Sequence, residues 1–229
     1  MNLENLPFKV IYEDNHLLVV NKPSGILVQG DSTGDTPLVE YVKLYIKHKY
    51  NKPGLVFCGI THRLDRPVSG LVIFARTSKA LERMNQKFRD REIQKTYWAI
   101  SEHAPPQNKG QLKHWLVKDE ARNVVTAFNA EKPNSQLALL DYQLLAQKQG
   151  HNLLEVHPIT GRPHQIRVQL AKIGSVIVSD LKYGYDKTPF YPNQIYLHSR
   201  KVTFEHPVKK ELINLEAPLP DFKLWDLFR

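Results

Sequence analysis

Residues 62–70 read HRLDRPVSG, which sets one carboxylate, Asp65, between Arg63 and Arg66 and just ahead of the apolar run LVIFA. A carboxylate that enters an apolar pocket alone takes up a proton, because burial disfavours its charge. A guanidinium gripping it through two parallel hydrogen bonds keeps it ionised and fixes its rotamer. Such an oxygen can attack carbon or move a proton without a metal. Arg63, Arg66, Arg162 and Arg167 are the candidate partners, the last two from RPHQIR at 162–167. Tyr97, in KTYWA at 95–99, adds a flat ring for stacking and a hydroxyl. A carboxylate, an arginine and a tyrosine around one cavity would suit a ribose and its base. Spacing alone leaves a second reading open, because an aspartate in a turn accepts backbone N–H groups. His62 fits a buried, satisfied histidine equally well.

Other chemistries lack their signatures. No GxxxxGK loop, no GxGxxG after a strand, no HExxH and no GxSxG elbow occurs. The ten histidines are scattered without zinc-site spacing. The single cysteine, Cys58, allows neither an internal disulfide nor a thiolate cluster. The expectation is catalysis with no cofactor and no metal. A formal charge of +9 favours a polyanionic partner. The opening MNLENLPFKV has no basic n-region or apolar h-region, and no apolar run is long enough to span a bilayer. A cytoplasmic protein without membrane contact is expected.

The elements that must hold these residues are strands in excess, with a few helices. FKVIYED and HLLVVNKP read as short strands, GILVQ as a possible third, and PSG at 23–25 as a turn. Leu38, Val42 and Ile46 recur on one helical face, with Asp35 or Thr36 as the cap and Pro37 in the first turn. GLVIFART reads as a buried strand, and Thr77 or Ser78 opens a helix with Leu81, Met84 and Phe88 inward. Strand-like runs follow at 92–101, 111–118, 124–128, 137–147 and 152–158. Gly161 and Pro163 turn into a helix with Ile166, Leu170 and Ile173 as its stripe and Gly174 at C′. After a long loop, IYLHSRKVTFEHP is one or two strands, and the tail docks through Trp225 and Phe228. With no βαβ cadence, repeat or linker, the expected fold is α+β: a mixed, largely antiparallel central sheet with flanking helices and loops, and an active-site cleft across the sheet. One domain over 1–229 is expected.

On HRLDRPVSG, KTYWA, HPITGRPHQIRVQLAKIG, KYG at 182–184 and LHSRKVTFEHP, in that order from about Val10 to Pro207, the chain resembles the RNA pseudouridine synthases that modify uridines of large-subunit ribosomal RNA and of tRNA. Val68 stands where threonine is frequent, and Glu102 where many members have glycine. The resemblance implies isomerisation of a uridine in structured RNA, the N1–C1′ bond being replaced by C5–C1′ after the base swings out of its stack. It makes Asp65 the catalytic aspartate, attacking C1′ or removing the 2′ proton. Tyr97 stacks on the base and relays the C5 proton. Arg167 is the basic partner of Asp65, with Arg162 as the alternative. Arg63 fills the vacated space, and His62, Arg66, Lys95, Arg162 and His164 line the RNA-binding surface. Many relatives carry an N-terminal S4-type RNA-binding module that is not seen here, which points to target selection by the catalytic domain and toward tRNA or a short stem-loop. A monomer with no obligatory protein partner is expected. The rival readings are an inactive RNA-binding or ribosome-assembly protein of the same fold, and an RNA methyltransferase, which would need a glycine-rich cosubstrate loop.

Overall fold

The computed structural model describes residues 6–229; the first five residues of the MNLENLPFKV opening lie outside the described residues. In chain order the elements are β1 (Lys9–Glu13), β2 (Leu17–Lys22), α1 (Leu38–Lys49), β3 (Gly59–Ile60), β4 (Ser69–Ala75), α2 (Ser78–Arg89), β5 (Gln94–Ser101), β6 (Lys109–Asp119), β7 (Val124–Phe128), β8 (Gln136–Lys148), β9 (His151–Pro158), α3 (Gln165–Lys172), β10 (Leu197–Glu205) and β11 (Leu212–Glu216). Short 3-10 turns cover Leu181–Tyr183 and Trp225–Phe228. The α+β class with largely antiparallel pairing is as the sequence implies. The chain forms two compact units. The first runs to Gln94 and takes back Ser199–Pro220, and the second comprises Lys95–His198 and Asp221–Arg229.

In the first unit β2 lies between β1 and β4, antiparallel to both, and β11 pairs antiparallel with β10. The LLVV run of β2 is buried on both faces, as is every residue of β4. Leu17, Val19, Leu71 and Ile73 share a core with Met84 of α2 and with Val202, Phe204 and Ile213 of the returning segment. Thr77 caps α2, its hydroxyl accepting the Ala80 N–H, as the sequence predicts. Helix α1 departs from expectation. Its N-cap position is Pro37, with no side-chain cap. The Leu38 and Val39 N–H groups donate instead to the carbonyls of Leu27 and Val28, at 2.7 and 3.2 Å. GILVQ is therefore not a strand: its carbonyls serve the helix start. Asp35 does not cap because its carboxylate binds Arg66.

The second unit is a meander-like antiparallel sheet in the order β5-β9-β8-β6-β7. Val168 of α3 packs with Leu116, Val125, Ala127 and Ala138 on its face. Gln169, fully buried, pins α3 to the strands through Leu112 O and Ala138 O, both at 3.3 Å. The helix ends as read from its glycine: Gly174 has φ +83°, its N–H donates to Ala171 O, and the Ser175 N–H donates to Leu170 O. Trp225 of the tail is buried beside Tyr196 and His198, with ring centres 5.8 and 6.0 Å away. β11 is an edge strand whose exposed Leu212 and Asn214 alternate with buried Ile213.

Gly70 closes the HRLDRPVSG segment at φ +114°, where a Cβ would lie 2.3 Å from the Ser199 carbonyl oxygen and 2.5 Å from its nitrogen. Both atoms are backbone, so nothing can swing aside. Gly70→Ala is expected to cost about 3 kcal/mol or more in urea unfolding. A loss below about 1 kcal/mol would show that the two backbones can part.

Candidate active site

Asp65 sits on the loop between β3 and β4, half-buried, in the first unit. The loop is held by a neighbouring turn. Lys22, at the end of β2 and fully buried, donates to the carbonyls of Pro23, Ile26 and Arg66, at 2.9, 2.8 and 3.1 Å. The Gly25 N–H donates to Arg66 O at 2.8 Å, and Arg66 Nε returns a bond to Gly25 O at 3.0 Å. Gly25 has φ +88°, which fits glycine in the PSG turn. The second nitrogen of Arg66 reaches Asp35 at 2.6 Å. Arg66 is thus occupied in tying three loop segments together. The Asp65 carbonyl accepts the Val68 N–H at 3.0 Å, closing the turn into β4.

His62 plays a supporting part here. Its Nε2 accepts the Ile73 N–H at 3.1 Å, which assigns the neutral imidazole, and its ring packs on Phe88 at 4.8 Å. Thr61 Oγ1 donates to Ile73 O at 2.7 Å, so the chain is fastened to β4 on both backbone groups of one residue. Arg63 is exposed and touches Gln29 Oε1 at 3.3 Å.

The remaining sequence-predicted residues lie in the second unit. Lys95 and Tyr97 alternate on one face of β5, with Trp98 on the other, where its indole reaches Glu155 at 3.3 Å. Tyr97 is buried. Burial lowers the Lys95 ammonium from its ordinary value. Lys95 Nζ lies 3.8 Å from where a Cβ on Gly161 would sit, so the 159–163 turn crosses the same face. That turn is organised by Gln165, whose Oε1 accepts from Thr160 Oγ1 and the Arg162 N–H and whose Nε2 donates to Leu139 O. Arg162 Nε reaches Leu137 O at 3.2 Å.

His164 takes the left-handed conformation, φ 52°, at the start of α3, and its Nδ1 lies 2.6 Å from the Tyr183 hydroxyl. That hydroxyl also accepts the Val125 N–H at 3.0 Å. Arg167, one turn in, is buried. It makes a two-pronged pair with buried Asp180, Nε–Oδ2 2.7 Å and Nη2–Oδ1 2.8 Å, over the Tyr183 ring at 5.0 Å. The sequence reading missed Asp180 and the role of Tyr183, although KYG lay among its matched segments. It also read Lys22 only as part of the HLLVVNKP strand. A lysine closing a run as apolar as LLVV was the available signal that its ammonium would be buried and multiply accepted.

Burial pulls the Lys22 ammonium down to about 7; the charge of Asp65 works against this and that of Arg66 with it. Below that pH the folded and unfolded chains both carry the proton. Between about 7 and the unfolded-lysine value near 10.4 the unfolded chain holds a proton that the folded chain has released. Stability from this group therefore rises with pH across the window. In urea titrations the stability advantage of wild type over Lys22→Met is expected to be flat below pH 7 and to widen toward pH 10. A gap that narrows over that range would contradict the assignment.

A family model described as RNA pseudouridylate synthase matches residues 16–172. The ribosomal large subunit pseudouridine synthase C of Buchnera aphidicola subsp. Baizongia pistaciae is 32% identical over 216 residues, covering 92% of this chain and 66% of that protein. An uncharacterized RNA pseudouridine synthase of Bacillus subtilis, YhcT, is 32% identical over 215 residues, covering 92% and 68%. This chain thus spans about two thirds of the length of the curated relatives it matches. Among solved structures, human RNA Pseudouridylate Synthase Domain Containing 4 superposes with a TM-score of 0.78 at 25% identity, covering 96% of this chain and 91% of that one. The matched span contains the Lys22-braced HRLD loop, the KTYWA strand and the turn and helix around Arg167, and on that span the chain belongs to the RNA pseudouridylate synthase family.

Proposed function

We propose that this protein converts uridine to pseudouridine in structured RNA, with Asp65 as the catalytic carboxylate. The observation that carries the reading is the bracing of the Asp65 loop by a buried ammonium and Arg66, in a chain of this family. A catalytic oxygen needs a fixed backbone beneath it, and an ordinary surface turn needs no fully buried lysine. The names of the curated relatives favour large-subunit ribosomal RNA as the substrate over tRNA.

The target base leaves its stack, and Arg63, exposed and two residues before Asp65, fills the gap. The Asp65 carboxylate attacks C1′, or removes the 2′ proton, and the N1–C1′ bond breaks. The freed uracil turns over against the ring of Tyr97. C5 then bonds to C1′ as the Asp65–C1′ bond breaks, or, on the other route, as the proton held by Asp65 returns to C2′; the C5 proton passes to solvent through the Tyr97 hydroxyl, and N1 takes up a proton. The product is an isomer, so atoms balance without a second substrate. Arg167 acts on Asp65 from a side chain already fixed by Asp180 and Tyr183. Lys95, Arg162, His164, His62 and Arg66 border the RNA path. Both compact units serve as one catalytic domain, acting as a monomer in the cytoplasm.

Tritium release from RNA labelled at C5 of uridine tests the assignment. Asp65→Ala and Asp65→Asn are expected to abolish release while RNA binding survives; full release by Asp65→Ala would overturn it. Arg167→Lys keeps a cation over Tyr183 but loses the fork. It is expected to lower kcat at least tenfold with KM little changed, and to be the more damaging when set beside Arg162→Lys. The reverse order would make Arg162 the partner of Asp65.

A further inference from the structure

From Tyr41 to Leu64 the chain carries Lys43, Lys47, Lys49, Lys52 and Arg63 and no Asp or Glu. Within this stretch the end of α1 and the following loop expose three large apolar side chains. Tyr50 is 40% exposed, Phe57 47%, and Leu55 fully so at 105%. Single exposed hydrophobics are ordinary, but three around one concavity form a patch that calls for a partner. With Ile46, Lys52 and Arg76 they line a groove of about 400 Å³ in the first unit.

One wall is already organised. The Arg76 guanidinium lies over the Tyr50 ring, 4.3 Å from its centre, and Nη1 binds the Tyr50 hydroxyl at 3.1 Å. The carboxylate in contact with this wall, that of Glu13, is shared among Lys49, Tyr45, Tyr50 and Arg76 at 2.6–3.2 Å. Lys52, which lines the groove, has no carboxylate partner among the described residues. A free cation beside exposed aromatic and aliphatic faces is what a nucleotide meets: phosphate on the ammonium group, base on the rings. An acidic peptide would satisfy the charges but has no use for a flat ring.

The groove is not the Asp65 site. It lies by Arg76, just past the last residue of β4, whereas Asp65 precedes the first. Seven strand residues at about 3.3 Å each separate the two by roughly 20 Å. The chain between them runs from Phe57 through β3, paired Gly59 to Ala75, and along Thr61 and His62 to Asp65.

The geometry points to this groove as a second RNA contact that seats an unpaired nucleotide remote from the target uridine, its base on Leu55 and Phe57 and its phosphate on Lys52. This rests on RNA being the substrate. A fluorescein-labelled oligouridylate of twelve nucleotides carrying 4-thiouridine serves as the probe. Photocross-links are expected on the segment 50–57, in wild type and in Asp65→Asn alike. Leu55→Ser with Phe57→Ala is expected to weaken binding at least fivefold by fluorescence anisotropy, and Lys52→Glu to weaken it and flatten its salt dependence. These side chains are exposed, so the fold survives their loss. Unchanged affinity with cross-links confined to other segments would overturn the groove and leave the RNA reading standing. No binding by any of these proteins at low salt would overturn the groove, whereas absence of tritium release from structured RNA by the wild type would overturn the RNA reading. A fall in sedimenting mass on the Leu55/Phe57 substitutions, with RNA affinity intact, would give the face to a second copy of the chain and end the proposal.

Discussion

An ammonium group stripped of water needs an acceptor for each of its three protons, and Lys22 finds them in the carbonyls of Pro23, Ile26 and Arg66. Those carbonyls belong to two turns that are far apart in sequence. The lysine is therefore a cross-link: neither turn can move without leaving buried hydrogen-bonding groups unsatisfied, at a cost of about 1–3 kcal/mol each. The exchange of bonds between Gly25 and Arg66 tightens the same joint. What this holds in place is the backbone on either side of Asp65. The carboxylate inherits its position from a neighbour's hydrogen bonds, and its own side chain need not be buried deeply to be fixed.

The second unit meets a similar problem with a different device. Arg167 is buried in a helix whose other inward residues are apolar or amide, and its charge is answered by Asp180 through both prongs of the guanidinium. The Tyr183 ring beneath it supplies the remaining face. The left-handed His164 at the helix start is held by the hydroxyl of that same tyrosine. One short 3-10 turn, Leu181–Tyr183, with Asp180 at its entry, thus determines where the basic end of α3 points.

Much of this was visible in the residues. Apolar alternation placed the strands, and Thr77 and Gly174 marked helix ends, while Asp65, Tyr97 and Arg167 were proposed as site residues on the family resemblance. What failed did so for a common reason: local chemistry was outbid by partners distant in sequence. Asp35 has the right type to cap α1, yet the helix begins one residue after Pro37 and Arg66 takes the Asp35 carboxylate. GILVQ has strand composition, yet its carbonyls are spent on the first turn of that helix. Lys22 reads as a strand terminator until the carbonyls around it are known. Asp180 carries no motif of its own, and its value appears only when α3 folds back over it.

The first unit takes its final strands from residues 199–220, and the second takes Trp225 and Phe228 from residues beyond those. Val202, Phe204 and Ile213 belong to the same apolar core as Leu17 and Met84. During synthesis, then, residues up to Gln94 leave the ribosome with the first unit's core unfinished, and must wait for the strands of the second unit to be made before Val202 arrives. The first unit's core is thus completed only after the second unit's strands and helix have been made, and the exposed apolar surface of the waiting chain makes it a natural client for a holding chaperone.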